Sequence, residues 1–407
     1  MAFWDGTRFL SEAPTNRDTR HIHPLVVLAA AASLMVVVTV TATGLPGSGG
    51  PPGNNAPIAV VPVSPIPRSH APSASAPVRP RAVQPARTNP RPFATATPTP
   101  APVRSTPRPT PKPTPKPVPP PHLLFGLGPE ADGALRLPVV DDAPVHMLTS
   151  WYNGPGDLAW MTGWRTGFVP QAYRAGYTLH LIVYSGQPHE RIATKYGRAC
   201  GEAYPLSDRF LDDMAQLART FRGRGRVYVT LFTEFQTYAC TNNEWDPNSE
   251  TNAYWRALKD QYRAALGVFH RLAPNSRVSL GWGGWQTRWD KPSTGGGRSM
   301  FKHFADVMRA SDFQSFQAMQ NDTNVQDVLA MTRTLGAYGP VLLAHYKPDS
   351  GSQSVFNADT RTMLTDAYLR KAVAAGLFGW SFMDERNLSS SGSTYSRIVK
   401  AIRRYGR

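Results

Sequence analysis

The sequence predicts an α/β fold: a closed (β/α)8 TIM barrel preceded by a single transmembrane helix and a proline-rich disordered linker. Three observations point there. Leu25 to Leu45 carries no charge. About two-thirds of the 39 prolines fall between Pro46 and Pro121. From His122 onward, short apolar runs alternate with stretches of helical spacing.

Residues 1–24 are polar and place Arg8, Arg17 and Arg20 ahead of the apolar run. That run, LVVLAAAASLMVVVTVTATGL, is long enough to cross a bilayer as a helix. No Lys or Arg follows it until Arg68, so the positive-inside rule puts the N-terminus in the cytoplasm and the remainder outside. A cleaved signal peptide ending near Val40-Thr41-Ala42 is the alternative, which would make the protein secreted. Either arrangement exports the C-terminal region.

Residues 46–121 hold nine Lys or Arg and no acid, out of a net charge of +16 for the chain. A segment so poor in apolar residues cannot offset its ordering entropy. Proline instead makes it an extended basic tether, reaching up to roughly 230 Å at about 3.1 Å per residue. With over half the excess charge in the tether, the C-terminal region does not read as a nucleic-acid-binding domain.

Residues 122–407 make one domain. Its eight candidate strands cover 123–128, 146–152, 178–186, 226–235, 277–285, 313–320, 340–346 and 376–385. Helical spacing falls at 208–221, 253–272, 300–310, 325–335, 359–374 and 396–403. Alternation of this kind implies parallel strands joined by crossovers. Eight strands in about 285 residues is the size of a (β/α)8 barrel. An open doubly wound sheet is disfavoured, since no early strand is followed by G-x-G-x-x-G or a phosphate loop.

The fourth strand, RVYVTLFTEF, ends on Glu234. An acid at the end of an apolar strand is costly without a task, and active sites of such barrels lie at that end. The other strand ends carry Trp151 and Tyr152, Tyr184, then Trp282 and Trp285, then Gln317, Gln320 and Asp322, and finally Trp380, Asp384 and Glu385. Flat apolar faces mixed with amides and carboxylates suit a carbohydrate. No His/Cys/Asp cluster has metal-ligand spacing, and no cofactor is implied.

This pattern resembles the retaining glycoside hydrolases built on (β/α)8 barrels, such as the family 26 β-mannanases and the cellulase-like enzymes. The resemblance covers residues 122–407 and rests on Glu234 closing strand four, the aromatics of strand five and Trp380 on strand eight. It implies that Glu234 is the acid/base. The family's nucleophile, a Glu ending strand seven, has no counterpart: the strand reads VLLAHYKPD, with His345 near that place and Asp349 beyond it. Asp384 is therefore the expected second carboxylate, with Asp322 and Glu385 as alternatives. Period-2 alternation puts Trp380, Phe382 and Asp384 on one face, taken to be the cleft. A non-catalytic carbohydrate-binding barrel is the alternative function. Cys200 and Cys240 fall in loops on one face of the barrel, and export makes a disulfide between them the expectation.

Overall fold

The computed structural model describes residues 3–4, 9–10, 122–241, 248–290, 299–349, 351–383, 388 and 392–407. The chain separates into two units, Met1–Thr15 with Lys116–Arg407 and Asn16–Pro115. The second lies outside the described residues, and with it both the expected span Leu25–Leu45 and most of the tether. No helix among the described residues is long and apolar enough to cross a membrane.

Eight parallel strands close into a barrel in chain order: β1 Leu124–Leu127, β2 Met147–Tyr152, β3 Thr178–Val183, β4 Val227–Leu231, β5 Ser276–Gly283, β6 Gln314–Ala318, β7 Val341–Tyr346 and β8 Leu377–Phe382. Closure comes from β8 pairing with β1, Gly379 beside Leu124 through Phe382 beside Leu127. Each strand falls within or overlaps the run that predicted it. Both faces of these strands are covered, which is why they read as near-continuous apolar segments.

Side chains fill the barrel in layers. Its floor is apolar: Tyr228 meets Phe313 and Phe378 with ring centroids 5.1 and 5.2 Å apart, alongside Leu124, Met147 and Leu342. Two residues further along the strands lies a polar belt. Thr149 shares hydrogen bonds with His180 at 3.3 Å and Ser381 at 2.7 Å, His180 with Thr230 at 3.0 Å, and Ser279 with Ser315 at 2.5 Å. One further step of two residues reaches the mouth, at Trp151 and Gln317.

Amphipathic helices cover the outside. The helix Asp208–Phe221 starts at Ser207, whose side chain accepts from the Phe210 N–H, and it buries Phe210, Met214, Leu217 and Phe221. Two expectations need correction. The single helix expected over 359–374 is two, Gln353–Met363 and Asp366–Ala374, because Thr365 caps the second by accepting from Tyr368 N–H. The fourth strand stops at Leu231 instead of running to Phe235, because Phe232 and Glu234 adopt φ of 55° and 60°.

A hairpin that the sequence did not announce, His189–Thr194 with Gly197–Glu202, follows β3. It docks on the segment after Glu234. Glu202 N–H donates to Tyr238 O at 2.9 Å, and Cys240 N–H donates to Cys200 O at 3.1 Å.

Candidate active site

Glu234 sits three residues past the end of β4. Its backbone N–H donates to Gly281 O on β5 at 3.1 Å, while Thr233 N–H donates to Val183 O on β3 at 2.9 Å. The turn is thus wedged between both neighbouring strands. Left-handed φ at Phe232 and Glu234, neither a glycine, costs of order 1–3 kcal/mol each. Neighbouring packing holds the turn in place. Phe232 stacks on Phe210 at 4.9 Å, and a Cβ at Gly281 would lie 2.8 Å from Thr233 Cα. Strain of this kind concentrates where a side chain must be aimed.

Glu234 as a residue is half-buried at the barrel mouth, with its carboxyl buried. Burial pushes its pKa up to about 8, and the negative charge of Asp349 adds to the rise. The carboxyl is therefore protonated at neutral pH. Asp349, on the exposed loop after β7, is the acid whose charge reaches Glu234. The sequence marked it only as the nearest acid beyond strand seven. Asp322 stands exposed on the loop after β6. Asp384 and Glu385 lie outside the described residues.

Around Glu234 the mouth is lined by neutral polar groups. Trp151 Nε1, Thr233 Oγ1, both amide atoms of Gln317 and both ring nitrogens of His345 are buried with no hydrogen-bond partner among the described residues. These are donors and acceptors of the kind that meet sugar hydroxyls or water. The His345 ring is 4% exposed and stands edge-on to Trp151, with centroids 5.1 Å apart. Burial first, then Lys347 and His180, holds His345 well below the usual histidine pKa, so it is uncharged. Tyr184 meets Trp151 at 5.8 Å, and its phenol pKa is raised by burial and then by Glu234 and Glu202. Trp285, half-buried, lies over Gly283, where a Cβ would come within 2.6 Å of its ring. Gln320, also half-buried, has its backbone N–H bonded to Asn324 Oδ1 at 2.8 Å.

Three expected cleft residues face the other way. Tyr152 points into the helix layer, where its hydroxyl bonds Tyr204 and Asp213. Trp282 packs on Phe235, Phe301 and Phe304 between sheet and helices. Trp380 is likewise fully buried against Tyr346 and Phe382. In β8 the pairing register slips between Leu377 and Gly379, so Phe378 and Ser381 both point inward and Trp380 and Phe382 outward. Trp380 and Phe382 do share a face, but it is the face away from the cleft.

Cys200 and Cys240 form a disulfide with Cα atoms 5.4 Å apart, tying the hairpin to the segment that follows Glu234. Inside this joint lies Glu202, a residue that sequence patterning missed. Its carboxyl is 5% exposed, and Oε2 has no partner among the described residues. Burial, the largest cause, pushes its pKa up to about 8. A lone Glu at the end of a polar hairpin strand carries no period that would mark it as buried.

No family model and no curated protein matches this chain. Its structure is similar to several solved barrels. One is a thermostable mutant of a xylanase from Cellvibrio japonicus, at 12% identity over 69% of this chain and 98% of that one, with TM-score 0.40. Another is the endo-1,4-β-mannanase from Eisenia fetida, at 12% identity over 70% and 91%, with TM-score 0.43. A third is a GH53 catalytic domain from Ignisphaera aggregans, at 12% identity over 60% and 75%, with TM-score 0.37. The class is defined by the molecule's own closed parallel barrel.

Proposed function

We propose that this chain is a glycoside hydrolase acting on a β-linked polysaccharide or oligosaccharide, with Glu234 as the general acid. One observation carries the reading: Glu234 closes the turn after β4 at the barrel mouth, wedged between β3 and β5, where burial raises its pKa to about 8 and the neighbouring side chains Trp151, Gln317 and His345 are uncharged polar groups. Glycosidic cleavage needs a protonated acid at the leaving oxygen and a second carboxylate that attacks the sugar or activates water. Asp349 is the described carboxylate whose charge acts on Glu234, and it is the first choice for that second group. Asp384 is the alternative favoured by sequence. The sugar hydroxyls would answer the orphaned donors and acceptors of Gln317, His345, Trp151 and Thr233, with Tyr184 and Trp285 offering aromatic surface.

The exported, anchored arrangement is part of the same proposal and rests on the apolar run Leu25–Leu45 and the basic tether. The presence of His345, not a Glu, at the end of β7 favours a second reading, a barrel that binds glycans without cleaving them. A panel of β-linked glycans separates the two. Hydrolysis by the wild type that falls about 10²- to 10⁴-fold in Glu234→Gln supports the enzyme. Binding without turnover by the wild type, unchanged in Glu234→Gln, would leave the binding barrel.

A further inference from the structure

The C-terminal helix Ser393–Tyr405 lies far from the site just described. Leu123, which leads into β1, donates its N–H to Tyr405 O at 2.6 Å and pairs with Gly406. That fixes the end of this helix at the N-terminal rim of the barrel, whereas Glu234 belongs to the opposite rim. Two grooves run along its flanks. The larger, of about 590 Å³, is lined by Asp142, Tyr395, Lys400, Arg403 and Arg404 among others. The second is lined by Arg361, Asp366, Arg397, Lys400 and Arg404 among others.

Five cations therefore face two acids, and Lys400 and Arg404 belong to both grooves. Arg361, Arg403 and Arg404 sit in the last turns of their helices, where the dipole alone favours a positive charge. Arg397 and Lys400 do not, and neither has an ion pair with a described residue. From Arg397 to Arg404 the cations extend along roughly 10 Å of helix axis. Large exposed apolar side chains among the described residues are Leu135, Trp160 and Trp289, none on this helix. The face thus lacks the apolar anchors that insert into lipid. Asp142 and Asp366, set within the row, oppose a densely charged phosphate backbone. They are tolerable to a chain whose charges are spaced by neutral hydroxyls.

We infer that the grooves flanking the C-terminal helix bind a linear anionic polysaccharide bearing carboxylates. Arg397, Lys400 and Arg361 engage its charges, and the glycan-facing mouth stays free at the other end of the barrel. Arginine's planar fork suits carboxylates held in this way.

The test uses the full chain and polygalacturonate as the probe, by calorimetry at physiological salt. Arg361→Glu with Lys400→Glu is compared with Arg219→Glu and Arg222→Glu, an exposed pair at the C-terminal end of the helix Asp208–Phe221 that changes net charge equally. The tether's charge is common to all the proteins. Affinity should fall about tenfold or more in the groove pair and less than about twofold in the control pair. Equal losses in both pairs would reduce the effect to net charge and overturn the inference. So would wild type that ignores polygalacturonate but binds anionic vesicles or single-stranded DNA through the same groove residues.

Discussion

Replacing Glu202 with Gln should stabilise the folded state at pH 7 and leave it unchanged at pH 4. In the folded protein the Glu202 carboxyl is pushed up to about 8 from an ordinary 4.5, chiefly by burial. Because the folded state holds this proton more tightly than the unfolded one, the benefit is complete below pH 4.5. Stability then declines as pH rises and levels off above about 8. Each pH unit inside that window costs about 1.4 kcal/mol, so the interval from 4.5 to 7 amounts to about 3 kcal/mol. Gln keeps the shape but cannot ionise. Urea unfolding of both proteins at pH 4 and pH 7, with the disulfide intact, should show the Gln variant gaining about 3 kcal/mol at the higher pH only. The same difference at both values would mean that Glu202 is not held protonated, and the description of the hairpin joint would fall.

Other expectations concern the frame around the site. Buried His180 is held down to about 3, so the unfolded state takes up its proton first as pH falls below about 6.5. Stability should drop by about 2 kcal/mol between pH 7.5 and 5 on its account. His180→Gln should remove that part of the pH slope, and an unchanged slope would refute it. The Cys200–Cys240 link closes a separation of 40 residues, worth about 4 kcal/mol in the chain-entropy model. A Cys200→Ser/Cys240→Ser protein should lose most of that in urea unfolding, and a loss under about 1 kcal/mol would contradict it. Gly281→Ala would press a methyl against Thr233 and Thr230. It should displace the Glu234 turn and lower turnover by more than it weakens glycan binding; wild-type turnover would show that the close contact is relieved elsewhere.

The strands were legible because each is an apolar run covered on both faces, and the helices because their apolar residues recur at helical spacing; the break at Thr365, inside one such stretch, was not. The direction of each side chain was less legible. Trp151 and Tyr152 are adjacent, so period-2 alternation can give only one of them to the mouth, and it gives Trp151. At β8 the slipped register puts Phe378 and Ser381 on one face although they are three positions apart, which sends Trp380 outward. Glu234 was legible as an acid closing an apolar run. Its left-handed turn was not, since nothing in Phe232-Thr233-Glu234 announces positive φ without a glycine. Asp349 escaped assignment because its place beside Glu234 depends on how the loop after β7 folds, and loops carry no period.

The most direct test of Glu234 as proton donor is the pH dependence of kcat/KM on a glycan that the wild type hydrolyses. Activity needs the protonated carboxyl, so the alkaline limb should fall near pH 8. Asp349 contributes to that value through its negative charge. In Asp349→Asn, whatever rate remains should therefore lose its alkaline limb at lower pH than the wild type, while Glu234→Gln should show no such limb on its residual rate. An alkaline limb that stays in place in Asp349→Asn, or a wild-type rate in Glu234→Gln, would contradict the assignment.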